Sequence, residues 1–162
     1  MNTVLLTNLI KIRWIAIAGQ LTTLFTIFFI FNFNIPLTKC VFVVFLSILV
    51  NFYSYFIQRG NPTLTDKKTF LFLLFDISQL VGLLFLTGGV FNPFIVLIIA
   101  PIIISASYLS ALWTILLSLY SIVLILIINF NYIPLNWEQS FITPSLYNIG
   151  ILVALILTIV FL

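Results

Sequence analysis

No charged residue lies between Phe94 and Phe130, an apolar run nearly twice as long as the ~20 residues that one helix needs to cross a bilayer. The chain is 64% hydrophobic and only 6% charged, whereas soluble domains carry about 25% charged residues. With so few polar residues it cannot build a water-facing shell, so lipid must be its solvent. Backbone groups in lipid must bond to one another, and long runs without alternation favour helices over a barrel. The sequence therefore predicts an all-α membrane protein.

The apolar runs predict a six-transmembrane-helix bundle that forms a single domain over residues 1–162. The long uncharged run needs a break, and the polar stretch from Ser105 to Ser110 divides it into a fourth and a fifth span. Pro101 is expected to bend the fourth span. The expected spans are about 14–33, 40–57, 70–87, 94–109, 111–130 and 145–162.

The basic residues predict the orientation of these spans. All of them except Lys39 fall on the side that holds the N-terminus, which places the N-terminus in the cytoplasm. Trp14 and Trp113 are then expected at the inner interface and Trp137 at the outer one. The basic residues on the N-terminal side are Lys11, Arg13, Arg59, Lys67 and Lys68.

The residues that usually carry enzyme chemistry are scarce. The chain has no histidine, one cysteine (Cys40) and three carboxylates on distant segments. This composition predicts no catalytic residue and no metal site. The small net charge of +3 does not indicate nucleic-acid binding. We therefore expect a non-enzyme.

The stretch Gly88–Phe94, which we call the motif loop, separates two apolar runs and can be explained as a turn. Gly88 and Gly89 follow the third span, where glycine commonly ends a helix in the left-handed conformation. Asn92 is a good N-cap, and Pro93 suits the first helical position. These residues predict a tight hairpin on the outer face of the membrane.

The same stretch also has the composition of a small-ligand site. Glycines expose backbone N–H groups, Asn92 adds a donor and an acceptor, and Phe91 and Phe94 offer rings for stacking. Apolar walls with few polar groups are typical of small-molecule pockets. A quinone headgroup with its tail in the lipid fits this description. The residues alone leave both interpretations open.

Three polar residues lie inside the predicted spans. Asp76 and Gln79 are one turn apart in the third span, and Gln20 lies at a similar depth in the first. Intramembrane carboxylates usually face a bundle interior, either as a structural contact or as a relay. We expect a hydrogen bond between Asp76 and Gln20, with Arg13 within reach of the same group.

The motif loop resembles the GGxxNPF quinone-site sequence of the RegB/PrrB (ActS) family of redox-sensing membrane histidine kinases. The resemblance extends over nearly the whole chain, with the same order and spacing of motifs. In that family the motif residues correspond to Gly88, Gly89, Asn92, Pro93 and Phe94. Further family-like positions are Arg13-Trp14, Gly19-Gln20, Pro36-Leu37, Cys40, Phe75-Asp76-Ile77, Gln79-Leu80, Leu86-Thr87, Pro101, Ser105-Ala106 and Trp113-Thr114.

The resemblance implies a six-span sensor domain of the bacterial inner membrane that binds ubiquinone. In the family a cytoplasmic kinase follows the sixth span and carries the phosphorylated histidine, an ATP-binding domain and a redox-active cysteine. None of these is found here, so the chain is expected to be a truncated sensory part without kinase activity. Its expected partners are lipid, quinone and a second copy of itself; a kinase module or response regulator is expected only if a cytoplasmic part exists.

The alternative is a small structural or transport membrane protein without a sensor role. It would use Asp76, Gln79 and Gln20 as a polar pathway through the bundle. A transporter usually pairs such residues with helices broken near the midplane, whereas the glycine break lies at the end of a span. This position counts against transport.

Overall fold

The computed structural model describes residues 6–58, 64–134 and 144–160. Arg59 and Trp137, which the orientation and interface predictions include, lie outside the described residues. Within them the chain is all-helical, as predicted. The six α-helices are α1 (Leu6–Phe25), α2 (Leu37–Gln58), α3 (Asp66–Leu86), α4 (Ile99–Tyr108), α5 (Ala111–Phe130) and α6 (Pro144–Val160).

Four of the described helical segments are long and apolar enough to cross a membrane. The first is longer than α1 because the π-helical turn Thr26–Ile30 continues it. The helices α1 and α3 also begin before the positions predicted from the apolar runs, so that Lys11, Arg13, Lys67 and Lys68 lie within helices. The four segments are Thr7–Ile30, Leu37–Phe56, Asp66–Leu86 and Ala111–Phe130.

The segment between α3 and α5 changes its winding along its length. The 3₁₀ helix Pro93–Ile98 comes first, and α4 follows it directly. At about 2.0 Å per residue for the six 3₁₀ residues and 1.5 Å for the ten residues of α4, the two together rise about 27 Å. The winding changes just before Pro101, which has no N–H to donate to the preceding turn. Pro101 thus lies at a change of helix type.

The central element of the bundle is α3. Half of its most apolar window is buried inside the protein, against 17–28% for the other three long segments. It packs against α2, α4, α5 and the 3₁₀ helix. Its buried side chains belong to two apolar clusters. One extends toward α4, α5 and the first turns of α1, and the other toward the rest of α1 and α2. The fully buried residues of α3 include Leu73, Ile77 and Leu84.

The motif loop is tied to the segment that follows α5. The backbone N–H of Gly88 donates to the carbonyl of Ile133 at 3.2 Å, and the N–H of Ile133 donates to the carbonyl of Phe85 at 2.8 Å. These bonds bring the end of α3 and the end of α5 together at one end of the bundle. Among the described elements, the 3₁₀ helix alone packs extensively against α6.

Candidate functional site

Two left-handed glycines open the motif loop. Gly88 has φ 105° and Gly89 has φ 61°, backbone angles that residues other than glycine rarely adopt. The first ends α3, and the second starts the short 3₁₀ turn Gly89–Phe91. The predicted left-handed glycine ending is confirmed.

The absence of a side chain at Gly89 also allows the ring of Tyr132 to pack against it. A Cβ atom on Gly89 would lie 2.6 Å from Cγ of Tyr132, a distance that real Cβ atoms do not tolerate. Tyr132 therefore rests directly on the glycine backbone. Its ring centroid is 5.8 Å from that of Phe91, with the planes tilted by 60°. Tyr132 is a site residue that the sequence did not reveal, because it lies in the segment that follows α5, far from the loop in sequence.

Asn92 is the polar centre of the loop. Its Oδ1 accepts a hydrogen bond from the N–H of Phe94 at 2.9 Å, which confirms the predicted N-cap, although the helix it caps is 3₁₀ rather than α. Its Nδ2 donates to the carbonyl oxygen of Thr87 at 2.9 Å and to Oγ1 of the same residue at 2.8 Å. Through these bonds Asn92 connects Thr87, at the end of α3, to the start of the 3₁₀ helix. Thr87 was not predicted as a site residue.

The two phenylalanines of the loop have different surroundings. Phe91 is 67% exposed at the surface of the bundle. Phe94 is partly buried and packs against the apolar cluster of α3, α5 and the 3₁₀ helix. Of this pair, Phe91 is therefore the ring that an external flat group can reach.

Pro93 supports the last helix of the chain. A Cβ atom on Gly150 would lie 2.8 Å from Cγ and 3.3 Å from Cβ of Pro93. The absence of a side chain at Gly150 thus lets α6 approach the 3₁₀ helix at its first residue. No pattern in the sequence indicated a role for Gly150.

The carboxylate of Asp76 in α3 pairs with Arg13. The guanidinium Nε and Nη2 atoms donate to the two carboxylate oxygens at 2.8 and 3.0 Å. The same guanidinium donates to Oγ of Ser54 at 3.3 Å and to the carbonyl of Phe72 at 3.2 Å, and it lies 4.7 Å from the Phe72 ring centroid. Arg13 is only 5% exposed. The expected Asp76–Gln20 hydrogen bond is wrong, because Arg13 takes both carboxylate oxygens. The expectation that Arg13 lies within reach of Asp76 is confirmed.

Gln20 bonds instead to Gln79. Each side-chain amide donates to the other's oxygen, at 3.2 and 3.0 Å. The three predicted polar residues thus lie between α1 and α3, in two adjacent pairs of which Arg13 is the fourth member. Helix α3 continues unbroken past them from Asp66 to Leu86. Asp76 lies twelve residues before Gly88, about 18 Å along the helix, so these pairs and the motif loop are separate places.

A cavity of about 100 Å³ lies beside these pairs, between α1 and the segment formed by the 3₁₀ helix and α4. We call it the α1–α4 cleft. Helix α3 forms its floor, and it is partly open to the outside of the bundle. Its polar lining residues include Arg13, Gln20, Asp76 and Gln79, and its apolar wall includes Leu97 and Ala100.

The fold and these contacts define a helical membrane protein with a capped loop at one end and a part-buried ion pair within the bundle. The chain is homologous to the sensor histidine kinase RegB of Cereibacter sphaeroides, with 35% identity over 159 residues. The match covers 97% of this chain and 34% of RegB. A second RegB of the same species is 35% identical over 75 residues, which are 46% of this chain and 16% of that protein.

The homology confirms the family resemblance predicted from the sequence. Almost the whole chain matches this RegB protein, but it spans only about a third of that protein's length. No family model matches the chain. No solved structure matches it significantly.

Proposed function

We propose that this chain is the membrane-embedded sensory part of a RegB-type histidine kinase and binds ubiquinone at the motif loop. The observation that carries the proposal is the homology to RegB over 97% of the chain, which includes the motif loop. The loop itself supports a ligand role, because it is built rigidly around Asn92 and still offers an exposed ring.

The contacts of the loop suggest a division of roles. Phe91, together with Tyr132, is the stacking surface for the quinone ring. Gly88, Gly89 and Asn92 fix the backbone, since both amide hydrogens of Asn92 are used by Thr87. Pro93 and Phe94 hold the 3₁₀ helix.

The proposed topology is six spans in the bacterial inner membrane with the N-terminus in the cytoplasm. The 3₁₀ helix and α4 together rise nearly the ~30 Å of a hydrocarbon core. Arg13 is buried in an ion pair and contributes little to the orientation argument. The proposed orientation therefore follows from Lys11, Lys67 and Lys68, which lie at the end of the bundle opposite the motif loop.

The proposed output is the position of α6. Oxidised and reduced quinone would bind two arrangements of the loop with different affinity, and this difference shifts their populations. Because α6 rests on Pro93 through Gly150, a displaced 3₁₀ helix would displace α6. The chain contains no histidine to phosphorylate, so its proposed role is sensing. Its proposed partners are lipid, ubiquinone and a second copy, with a kinase module or response regulator engaged through a cytoplasmic part.

Ubiquinone-1 binding to the purified chain in phosphatidylcholine nanodiscs tests this function. We expect saturable binding that Phe91→Ala weakens about tenfold, as loss of a stacking ring implies. Phe29→Ala is the matched control, because Phe29 is 63% exposed at the end of the long α1 segment. The double variant Asn92→Ala with Phe94→Ala should abolish binding. Unchanged affinity in both loop variants would refute the loop as the quinone site.

A further inference from the structure

The α1–α4 cleft contains hydrogen-bonding groups that the protein does not use up. In their mutual pair, Gln20 and Gln79 each use one amide N–H and one oxygen lone pair, so each keeps a second donor and a second acceptor position. Gln79 is more than nine-tenths buried. Free donors and acceptors inside a bundle are costly unless a guest satisfies them.

The charges at the cleft compensate each other. The guanidinium of Arg13 and the carboxylate of Asp76 form a two-bond ion pair beside the two glutamines. A charged guest would leave an unbalanced charge in a low-dielectric region, which is strongly unfavourable. The polar lining therefore selects a neutral group that carries carbonyl or hydroxyl oxygens.

The size and position of the cleft limit the guest further. Its volume of about 100 Å³ is smaller than the about 150 Å³ of a closed apolar cavity that holds benzene, so a ring would enter it only in part, through its open side. Asp76 is the middle residue of the 21-residue helix α3, so the opening lies at the depth of the hydrocarbon core. A guest with an apolar chain can enter there from the lipid.

We propose that the α1–α4 cleft is a second binding site, for the neutral oxygen-bearing headgroup of a lipid-soluble molecule. The spare amide groups of Gln20 and Gln79 hold the headgroup, and Leu97 and Ala100 pack on its other side. A quinone ring and the glycerol ester of a neutral lipid share this chemistry. The first source rests on the proposed function, whereas the second is independent of it.

Binding of ubiquinone-1 and of dioctanoylglycerol to the full chain in phosphatidylcholine nanodiscs tests the site. Ala100→Phe fills the cleft from the buried side of α4, and Ala106→Phe is its control on the exposed side of the same helix. Gln79→Leu removes the spare amide at nearly constant shape. Its control is Ser78→Ala, because Ser78 faces away from the cleft and bonds to Tyr120 of α5 at 2.7 Å.

We expect Ala100→Phe and Gln79→Leu each to lower the affinity for at least one probe by about tenfold or more. The two control variants should change the affinity for that probe by less than about twofold. The probe that responds identifies the source of the headgroup. If Ala100→Phe does not fold, Gln79→Leu decides alone. The proposal is overturned if neither probe binds, or if both cleft variants bind like the unaltered chain and the cleft holds only water.

Phe91→Ala separates this site from the motif loop, since Phe91 is exposed and does not line the cleft. Suppose that Phe91→Ala weakens ubiquinone-1 binding, while the cleft variants and the controls leave the binding of both probes unchanged. In that case the loop site stands and the cleft site fails. If ubiquinone-1 binding is weakened by the cleft variants but by neither Phe91→Ala nor the double variant Asn92→Ala with Phe94→Ala, the cleft site stands and the proposed loop site fails.

Discussion

The guanidinium of Arg13 and the carboxylate of Asp76 form two hydrogen bonds, of 2.8 and 3.0 Å, at the middle of the most deeply packed long helix described. Bidentate pairs of this kind fix geometry as well as energy. The pair joins α1 to α3 over 63 positions of sequence. It therefore fixes the rotation of α1 about the central helix and, through Gln20 and Gln79, the shape of the α1–α4 cleft.

Neutralising Asp76 should destabilise the bundle strongly. Asp76→Asn leaves the buried guanidinium of Arg13 without a counter-charge, which typically costs about 3–5 kcal/mol. Unfolding of the purified chain by SDS in mixed micelles measures this loss. The control is Asp66→Asn in the first turn of α3, where only about 0.3–1 kcal/mol is expected.

The double variant Arg13→Met with Asp76→Leu should recover most of that loss, since apolar residues of similar size commonly replace a buried ion pair at little cost. Recovery would show that the pair fixes the arrangement of α1 and α3 more than it adds net stability. A double variant as unstable as Asp76→Asn would contradict this interpretation.

The Gln20–Gln79 pair should contribute less. A double-mutant cycle with Gln20→Leu and Gln79→Leu should give a coupling free energy of about 0.6 kcal/mol and no more than about 1.7, the range found for polar contacts between membrane helices. The same SDS unfolding provides the measurement. A coupling near zero would mean that the two amides prefer other partners in solution.

Local features of the chain were predictable because their causes are local. Gly88, Gly89, Asn92 and Pro93 build the loop through their own backbone preferences and bonds to neighbours within a few residues, and the structure confirms those assignments. The all-helical class followed in the same way from the apolar runs. Four segments have the length and hydropathy to span, while the six-span topology stays a prediction.

Contacts between distant segments were not predictable from one sequence. Arg13 was placed just before the first span and expected within reach of Asp76, and the structure confirms that reach. What the apolar run did not show is that α1 begins at Leu6, so that Arg13 lies inside the helix and inside the bundle. Depth alone made Gln20 a partner for Asp76, whereas helix rotation decides which side chains meet. Tyr132 beside Gly89 and Pro93 beside Gly150 likewise depend on how α5 and α6 dock.

Replacing Gly89 should damage the motif loop. Gly89→Ala places a side chain at φ 61°, which costs about 1–2 kcal/mol, and drives its Cβ into Tyr132 at 2.6 Å. We expect a loss of about 2–4 kcal/mol in SDS unfolding, with steric overlap adding to the backbone term. Adding Tyr132→Ala should relieve only the overlap with the ring, because Cβ of Tyr132 would still lie 2.7 Å from the new Cβ. Gly19→Ala, which has no atom within 4 Å and no positive φ, should be neutral or stabilising.

The contact between α6 and the motif should be sensitive to a single methyl group. In Gly150→Ala the new Cβ would lie 2.8 Å from Cγ of Pro93, and the proline ring cannot rotate away. We expect a loss of about 1–3 kcal/mol, typical of overpacking, together with an outward shift of α6. Gly82→Ala is the matched control, because its Cβ would meet Val43 at an ordinary 3.7 Å. Adding Pro93→Ala should lessen the loss by relieving the overlap.

Spin-label distances between residue 156 of α6 and residue 91 of the loop should lengthen in Gly150→Ala and stay constant in Gly82→Ala. If Gly150→Ala leaves both the stability and that distance unchanged, α6 does not rest on Pro93 and the proposed output route is wrong.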